Sequence, residues 1–310
     1  MMQWLDPVRK EFRERLEGGR LPHAILLSGP AGTGKRELAT EMVSSLLCLK
    51  ESLPACGQCR SCHLLETGAH PDYRILTFEV NEKNNVLRKE VLVDQVRNLI
   101  SAMQLTTTIS RRKLALVFPA EAMNRNAANA LLKTLEEPPG DCVIILVSDD
   151  PGRLPATIRS RCQNLQVRLP DEEMALRWLQ GLGEEHDPSA VAFALKAAAG
   201  SPLRAHSMLI NGTAEHYRMV NSALEALLTG DNDSLPALSN LMELDAELLW
   251  TWLSLCAAEK VRQYSGVQQA VQLLSKLQIK ADRNRRLLSS PVRKDLLLQD
   301  WLIQWSQLKV

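Results

Sequence analysis

The chain has 310 residues, of which 45% are apolar, and its 37 basic and 36 acidic side chains leave a net charge of +1. A chain of this length is longer than a single small domain and can form two or three compact domains. The near-balance of charge argues against a protein whose main task is to coat nucleic acid, because such binding depends on clustered Lys and Arg. The longest apolar stretches, such as CVIILV at 142–147, are too short to cross a bilayer, so we expect a soluble cytoplasmic protein with no membrane partner.

Strands and helices are predicted to alternate from the N-terminus to about Pro170. Apolar runs that predict strands lie at 23–29, 73–78, 114–118, 142–148 and 164–169. Apolar residues at helical spacing predict helices over 35–47, 90–103 and 121–137. This order predicts an α/β fold with a parallel sheet that is covered by helices on both faces.

Beyond this α/β part, which we assign to 1–167, only helices are predicted. Short helical patterns punctuated by Gly and Pro predict a small helical domain over 168–210. Longer patterns with few breaks predict a helical bundle over 211–310. Core packing is the favoured interpretation of four tryptophans in the bundle, and ligand stacking is the alternative: Trp250, Trp252, Trp301 and Trp305.

The segment SGPAGTGKREL, residues 28–38, has the spacing of a phosphate-binding loop between a predicted strand and a predicted helix. Gly29, Gly34 and Lys35 occupy the conserved positions of the pattern G-x-x-x-x-G-K. Together with Gly32, these glycines let backbone NH groups turn toward an anion, and the Lys35 ammonium can reach the outer phosphates. Two interpretations stay open: a loop that binds ATP or ADP weakly, and a loop that is kept for its shape without nucleotide.

Hydrolysis of a nucleotide requires bound Mg2+, and both expected ligand positions lack a ligand. In hydrolysing loops of this kind, the hydroxyl after the lysine and an acidic residue at the end of a neighbouring strand hold the cation. Here Arg36 replaces the hydroxyl. The strand is followed by Phe118-Pro119-Ala120, and Glu121 comes three positions late. We therefore expect no Mg2+ site and no ATP hydrolysis by this chain alone.

Four of the seven cysteines cluster within a short stretch after the predicted loop helix: Cys48, Cys56, Cys59 and Cys62. Four thiolates suit a closed tetrahedral Zn2+ site, which would be structural because no position remains for water. His63 and His70 compete as fourth ligands. Reduced cysteines without metal are the alternative interpretation.

The segment IRSRCQ, residues 158–163, lies between a predicted helix and a predicted strand. Arg161 is therefore at an element boundary, from which its side chain can point out of the domain. A solvated arginine near a helix C-terminus explains the residue equally well from the local sequence.

Several motifs together resemble the delta-prime clamp-loader family of bacterial DNA polymerase III, within the AAA+ class. They are the cysteine cluster, HPDY at 70–73, VDQVR at 93–97, NAANALLKTLEEPP at 126–139 and LPATIRSRCQ at 154–163. The resemblance extends over 20–205, and the C-terminal region is similar only in being helical and of suitable length.

The resemblance implies a RecA-like AAA+ domain with an inserted zinc module at about 48–63, a small helical lid and a helical collar, through which five subunits form an open ring. In such a ring the gamma/tau subunits bind and hydrolyse ATP, the delta subunit is a further partner, and the delta-prime position does not hydrolyse. The complex loads the sliding clamp onto primed DNA. The chain would then be an accessory subunit of a DNA-directed DNA polymerase, a nucleotidyltransferase.

The resemblance also implies roles for two arginines. In the family, the arginine of the SRC motif, here Arg161, reaches in trans to the ATP of the neighbouring subunit. Arg204, in GSPLRA, lies where AAA+ ATPases keep a second phosphate-sensing arginine. A salt bridge within the lid is the alternative role for Arg204.

Two rival functions remain. An active ATPase subunit of gamma/tau type would need a hydroxyl at position 36 and an acidic pair near 118 and 119, and the sequence has neither. A stand-alone zinc-dependent DNA-binding protein is disfavoured by the balanced charge and by the lack of basic and aromatic residues around the cysteines.

Overall fold

The computed structural model describes residues 2–81, 85–183, 186–230, 235–288 and 290–308. The chain divides into two compact units, Met1–Trp178 and Leu179–Val310. The second unit contains most of the predicted small helical domain and all of the predicted bundle, and the division into three domains stays a prediction. None of the described helices combines the length and apolarity that a bilayer span requires.

The first unit is built on a five-stranded sheet. Its strands and a short hairpin are β1 Ala24–Ser28, β2 Tyr73–Leu76, β3 Val80–Asn81, β4 Val86–Leu87, β5 Lys113–Val117, β6 Cys142–Ser148 and β7 Gln163–Gln166. The strand order is β2-β5-β6-β1-β7, and every neighbouring pair is parallel. Strands β3 and β4 form the separate antiparallel hairpin. Every residue of β1, β5 and β6 is buried, as expected for central parallel strands that are covered on both faces.

The helices of this unit are α1 Asp6–Glu17, α2 Lys35–Leu47, α3 Arg60–Glu66, α4 Val93–Met103, α5 Arg125–Glu136, α6 Ala156–Arg159 and α7 Glu172–Gln180, the last of which spans the boundary between the units. Helices α4 and α5 pack their apolar stripes on one face of the sheet, and α2 lies against β1, β5 and β6. The predicted α/β fold with a parallel sheet is confirmed.

Helix α5 begins four residues later than predicted, and its cap explains the difference. The side chain of Asn124 accepts a hydrogen bond of 2.9 Å from the backbone NH of Ala127. Such a side chain satisfies one of the amide groups that a helix N-terminus leaves unpaired. The preceding residues form a short 3-10 turn at Ala120–Ala122 instead.

The second unit is entirely helical in its described part. Its helices are α8 Pro188–Ala197, α9 Pro202–Asn211, α10 Ala214–Leu228, α11 Leu235–Gln263, α12 Gln268–Leu287 and α13 Lys294–Ser306. Helix α11 is kinked at Asp245, whose backbone is not helical and whose side chain accepts a hydrogen bond from Leu248 N at 2.9 Å. Asp245 therefore caps the second half of α11.

Four tryptophans form the centre of this unit and are at most 1% exposed: Trp250, Trp252, Trp301 and Trp305. The rings of Trp301 and Trp305 are stacked, with centroids 5.2 Å apart. The indole NH of Trp252 donates to Ala197 O and that of Trp305 donates to Leu224 O, each at 2.8 Å. The interpretation of these tryptophans as core residues is confirmed.

Candidate functional site

The phosphate-type loop connects the end of β1 to the start of α2 and adopts backbone angles that favour glycine. Gly29, Gly32 and Gly34 have φ values of +152°, +71° and +85°. A Cβ atom on Gly29 would lie 2.1 Å from the carbonyl oxygen of Val167, just after β7. Glycine at position 29 is thus required by the close approach of the next strand as well as by the loop.

The ammonium of Lys35 is turned inward and paired within the loop. Its side chain is 2% exposed, and its Nζ lies 2.6 Å from Oδ1 of Asp149, which follows β6. The same Nζ donates to the carbonyl oxygen of Pro30 at 2.5 Å. An incoming phosphate must therefore compete with the Asp149 carboxylate for the Lys35 ammonium.

The N-terminal segment covers the other side of the loop. The indole NH of Trp4 donates to Thr33 O at 2.8 Å, and a Cβ atom on Gly34 would lie 2.4 Å from Sδ of Met2. The sequence gives no motif for this contact, because the pairing joins residues that are 29 positions apart. Trp4 and Met2 therefore fix the loop in a way that the sequence did not predict.

The two positions that would hold Mg2+ contact each other instead. The Arg36 guanidinium lies 5.5 Å from the centroid of the Phe118 ring, a distance that allows a cation–π interaction. Glu121 is also engaged, since its Oε1 accepts a hydrogen bond of 3.0 Å from Asp149 N. The arrangement places an aromatic ring and a cation where a hydrolysing loop has two oxygen ligands.

The four clustered cysteines meet at one point between α2 and α3: Cys48, Cys56, Cys59 and Cys62. Their sulfur atoms all lie within 4.8 Å of one another, with Cys59 Sγ and Cys56 Sγ at 3.5 and 4.0 Å from Cys62 Sγ. Zinc–sulfur bonds of about 2.3 Å give a tetrahedron with edges of about 3.8 Å, so these residues fit such an ion. The four cysteines could hold a metal ion.

The thiol environment of this cluster is compatible with metal binding. Burial raises the pKa of Cys62 to about 12. At Cys48, burial also acts to raise the pKa, but hydrogen bonds from Cys56 N and the Ser52 hydroxyl outweigh it and lower the pKa to about 5. At Cys59, burial likewise acts to raise the pKa, and backbone hydrogen bonds from Cys62 and Leu49 outweigh it and lower the pKa. The fold thus stabilises the thiolates of Cys48 and Cys59, and a bound cation would deprotonate the remaining thiols.

His70 is not placed to serve as the fourth ligand, because both of its ring nitrogens have other partners. Its Nδ1 accepts from Asp72 N at 3.1 Å, which puts the proton of the neutral ring on Nε2. That nitrogen lies 2.8 Å from Ser61 Oγ and 3.2 Å from Ser110 Oγ, and burial lowers the His70 pKa. Both hydroxyls donate to Leu47 O, so the network ties the residues beside two of the cysteines to the sheet domain.

The second candidate histidine lies away from the sulfur cluster. His63 is exposed on α3, with Nδ1 3.9 Å from a carboxylate oxygen of Glu66. Among the described residues, the grouping of metal-binding side chains therefore consists of the four cysteines.

Arg161 lies two residues after α6 and is paired within its own chain. Its Nε donates to Oε1 of Glu136 at 2.6 Å, and its Nη1 donates to Thr157 O at 3.0 Å. The Arg161 side chain is 34% exposed, so part of it faces solvent. Arg204 lies in the first turn of α9, in the second unit.

Comparison with known proteins assigns the chain to a family. A family model described as DNA polymerase III, delta subunit, matches residues 5–171. DNA polymerase III subunit delta' of Pseudomonas aeruginosa is 37% identical over 94% of this chain and 94% of its own length. The chain belongs to the DNA polymerase III delta' family. Subunit delta' of Escherichia coli is 32% identical over 86% of this chain and 79% of its own length.

More distant similarity extends to other proteins of the same polymerase. DNA polymerase III subunit tau of Escherichia coli is 28% identical over 84% of this chain but only 40% of its own length. A solved gamma subunit-related protein from Thermotoga maritima aligns with 98% of this chain and 99% of its own, at 16% identity and a TM-score of 0.46. The matched family model spans the loop, the cysteine cluster and Arg161, whereas Arg204 lies beyond the matched residues.

Proposed function

We propose that this delta' chain is a non-hydrolysing AAA+ subunit of the DNA polymerase III clamp loader, which helps to place the sliding clamp on primed DNA. The observation that carries the proposal is the contact of Arg36 with Phe118, which fills both positions where a hydrolysing loop binds Mg2+. The names of the similar proteins, subunits delta' and tau of DNA polymerase III, support the assignment to this complex. Its partners are then gamma/tau and delta subunits in a five-membered ring.

We infer a catalytic role of this subunit on a neighbour, and the partly exposed side chain of Arg161 supports it. In the proposed ring, Arg161 reaches the ATP of an adjacent gamma/tau subunit and stabilises charge on the transferred phosphoryl group. An arginine supplied in trans accelerates phosphoryl transfer by about three to five orders of magnitude in well-characterised systems. The chain thus assists hydrolysis without performing it.

In this proposal, the phosphate-type loop between β1 and α2 has a structural role and binds ATP or ADP weakly at most. The Lys35 ammonium is already paired with Asp149, and the Met2–Trp4 segment packs against the glycine turn. A nucleotide has to displace Asp149 from the Lys35 ammonium before this ammonium can neutralise a phosphate. A phosphate-sensing role for Arg204 stays a prediction from the resemblance.

We assign Zn2+ to the cysteine cluster as a structural ion. Cys48, Cys56, Cys59 and Cys62 would hold it, and the ion would fix the loop between α2 and α3, which has little apolar material of its own to bury. Four sulfur ligands leave no position for a reacting water molecule.

Hydrolysis by the isolated chain is the first test. Purified protein is mixed with ATP and Mg2+, and phosphate release is measured beside binding calorimetry. We expect no turnover above the buffer rate. Turnover together with micromolar ATP binding would instead support the alternative, an active ATPase subunit of gamma/tau type.

Hydrolysis by the reconstituted complex is the second test. ATP turnover is measured with clamp and primed DNA for wild type, Arg161→Ala and the control Arg159→Ala, which changes an exposed arginine of the same motif. Gel filtration confirms that each complex assembles. We expect at least a tenfold loss for Arg161→Ala alone. Equal turnover in all three complexes would contradict the catalytic role of Arg161 and would indicate that the chain acts only as a scaffold.

A further inference from the structure

Glu136 forms the main contact of the Arg161 side chain, although it lies 25 residues away in sequence. Nε of Arg161 is 2.6 Å from Glu136 Oε1, and Nη2 contacts the same oxygen. We propose that Glu136 is a positioning residue for Arg161, an inference that rests on the proposed role of Arg161 in trans.

The contact leaves part of the guanidinium available. Arginine has five N–H donors in a fixed planar arrangement. Two of them face Glu136, on Nε and Nη2, and Nη1 donates to Thr157 O at 3.0 Å, with Ser160 Oγ at 3.5 Å. The second N–H of Nη2 has no partner among the residues that the structure describes. The side chain is thus held through Nε, Nη1 and one N–H of Nη2, while the second N–H of Nη2 remains for a ligand outside the domain.

The carboxylate stands on a rigid part of the domain. Glu136 is the last residue of α5, and the preceding Leu135 is 1% exposed in the core. The carbonyl oxygen of Leu135 lies 2.8 Å from Nε2 of His23, directly before β1. Arg161, by contrast, lies in the short segment between α6 and β7. Contact with Glu136 therefore connects the Arg161 side chain to the packed core, in addition to the Nη1 contact with Thr157 O in α6.

The Arg161–Glu136 ion pair should contribute little to folding stability and can still position the arginine. The two side chains are 34% and 48% exposed, so solvent screens much of their attraction. Breaking the pair should leave the domain folded. Loss of the pair should, however, let the Arg161 side chain sample more rotamers. A productive contact with the neighbour's ATP would then have to restrict these rotamers again.

The proposal is tested by ATP turnover of the reconstituted complex with clamp and primed DNA. We expect Glu136→Ala to lower kcat on the order of tenfold, as for groups that orient a functional side chain, with KM for ATP unchanged. Glu136→Gln keeps the accepting oxygen and should recover most of the loss. Glu137→Ala removes the adjacent exposed carboxylate and serves as the control.

A double-mutant cycle separates this inference from the proposed function. If Arg161 acts on the neighbour and Glu136 acts through it, Glu136→Ala should cause no further loss in the Arg161→Ala background. If Arg161→Ala lowers kcat but Glu136→Ala leaves it unchanged or raises it, the positioning role is wrong and the proposed function stands. If neither variant changes kcat, the proposed trans role of Arg161 fails, and the inference fails with it.

Discussion

Replacing Asp72 with asparagine should destabilise the first unit by about 3 kcal/mol, because a buried carboxylate would lose its charge. Its side chain is completely buried and accepts hydrogen bonds from the backbone NH groups of Thr108, Ile109 and Ser110 at 2.7, 2.8 and 2.9 Å. Lys113 Nζ lies 3.7 Å from the same carboxylate. This one side chain therefore holds the segment that precedes β5.

The magnitude follows from what asparagine cannot do at this site. Its amide has one accepting oxygen, so at least one of the three backbone NH groups would face another donor, and a lost hydrogen bond to a charged group costs about 1.5 to 3 kcal/mol. Breaking a buried ion pair costs about 3 to 5 kcal/mol. The flexible stem of Lys113 can redirect its ammonium toward water, so the expected loss is near the lower end, about 3 kcal/mol.

The assay is urea unfolding of the full chain combined with hydrogen exchange at the amides of residues 108–110. Asp72→Asn should lower the unfolding free energy and speed exchange at these amides. Asp141→Asn, which removes an exposed carboxylate 3.7 Å from Arg112, is the control. A loss below about 0.5 kcal/mol, the range of ordinary surface substitutions, with unchanged exchange would refute the reasoning.

The same residue predicts how stability depends on pH. Burial acts to raise the Asp72 pKa, but the three backbone hydrogen bonds and Lys113 outweigh it and lower the pKa below its ordinary value. The stabilisation is therefore fully present above the unfolded pKa of about 3.9 and is lost as the pH falls through the lower folded value. Unfolding titrations below pH 4 should show a smaller pH dependence for Asp72→Asn than for wild type.

Three further substitutions test other parts of the site. Asp149→Asn releases the ammonium of Lys35 and should tighten ATP binding in calorimetry; unchanged or weaker binding would show that the pair does not limit access. Gly29→Ala places a Cβ 2.1 Å from a backbone oxygen and should lower stability by about 1 to 3 kcal/mol in urea unfolding, whereas Gly140→Ala, which meets no atom within 4 Å, should lose less. Cys59→Ser should abolish the proposed zinc binding, measured by atomic absorption, and retention of one ion per chain would contradict the assigned ligand set.

Much of the fold and of the site chemistry could be predicted from the sequence because the signals are local. Continuous apolar runs gave the central strands, and β1, β5 and β6 are buried along their whole length. The glycine pattern of the loop and the spacing of the cysteines can be recognised from residues that lie a few positions apart in the sequence. The ends of elements were predicted less accurately, since α5 begins at Arg125, directly after the cap residue Asn124, rather than where its apolar pattern starts.

Residue type and short spacing suffice to predict a phosphate-binding loop without the Mg2+ ligands of hydrolysing loops, and four thiols at zinc-binding spacing. The partners of the loop and motif side chains, in contrast, are visible only in the folded chain. Arg36 meets Phe118, Lys35 meets Asp149, and Arg161 meets Glu136, through contacts that join separate elements of the first unit. These partners are set by the order and register of strands in the sheet, which no local pattern specifies.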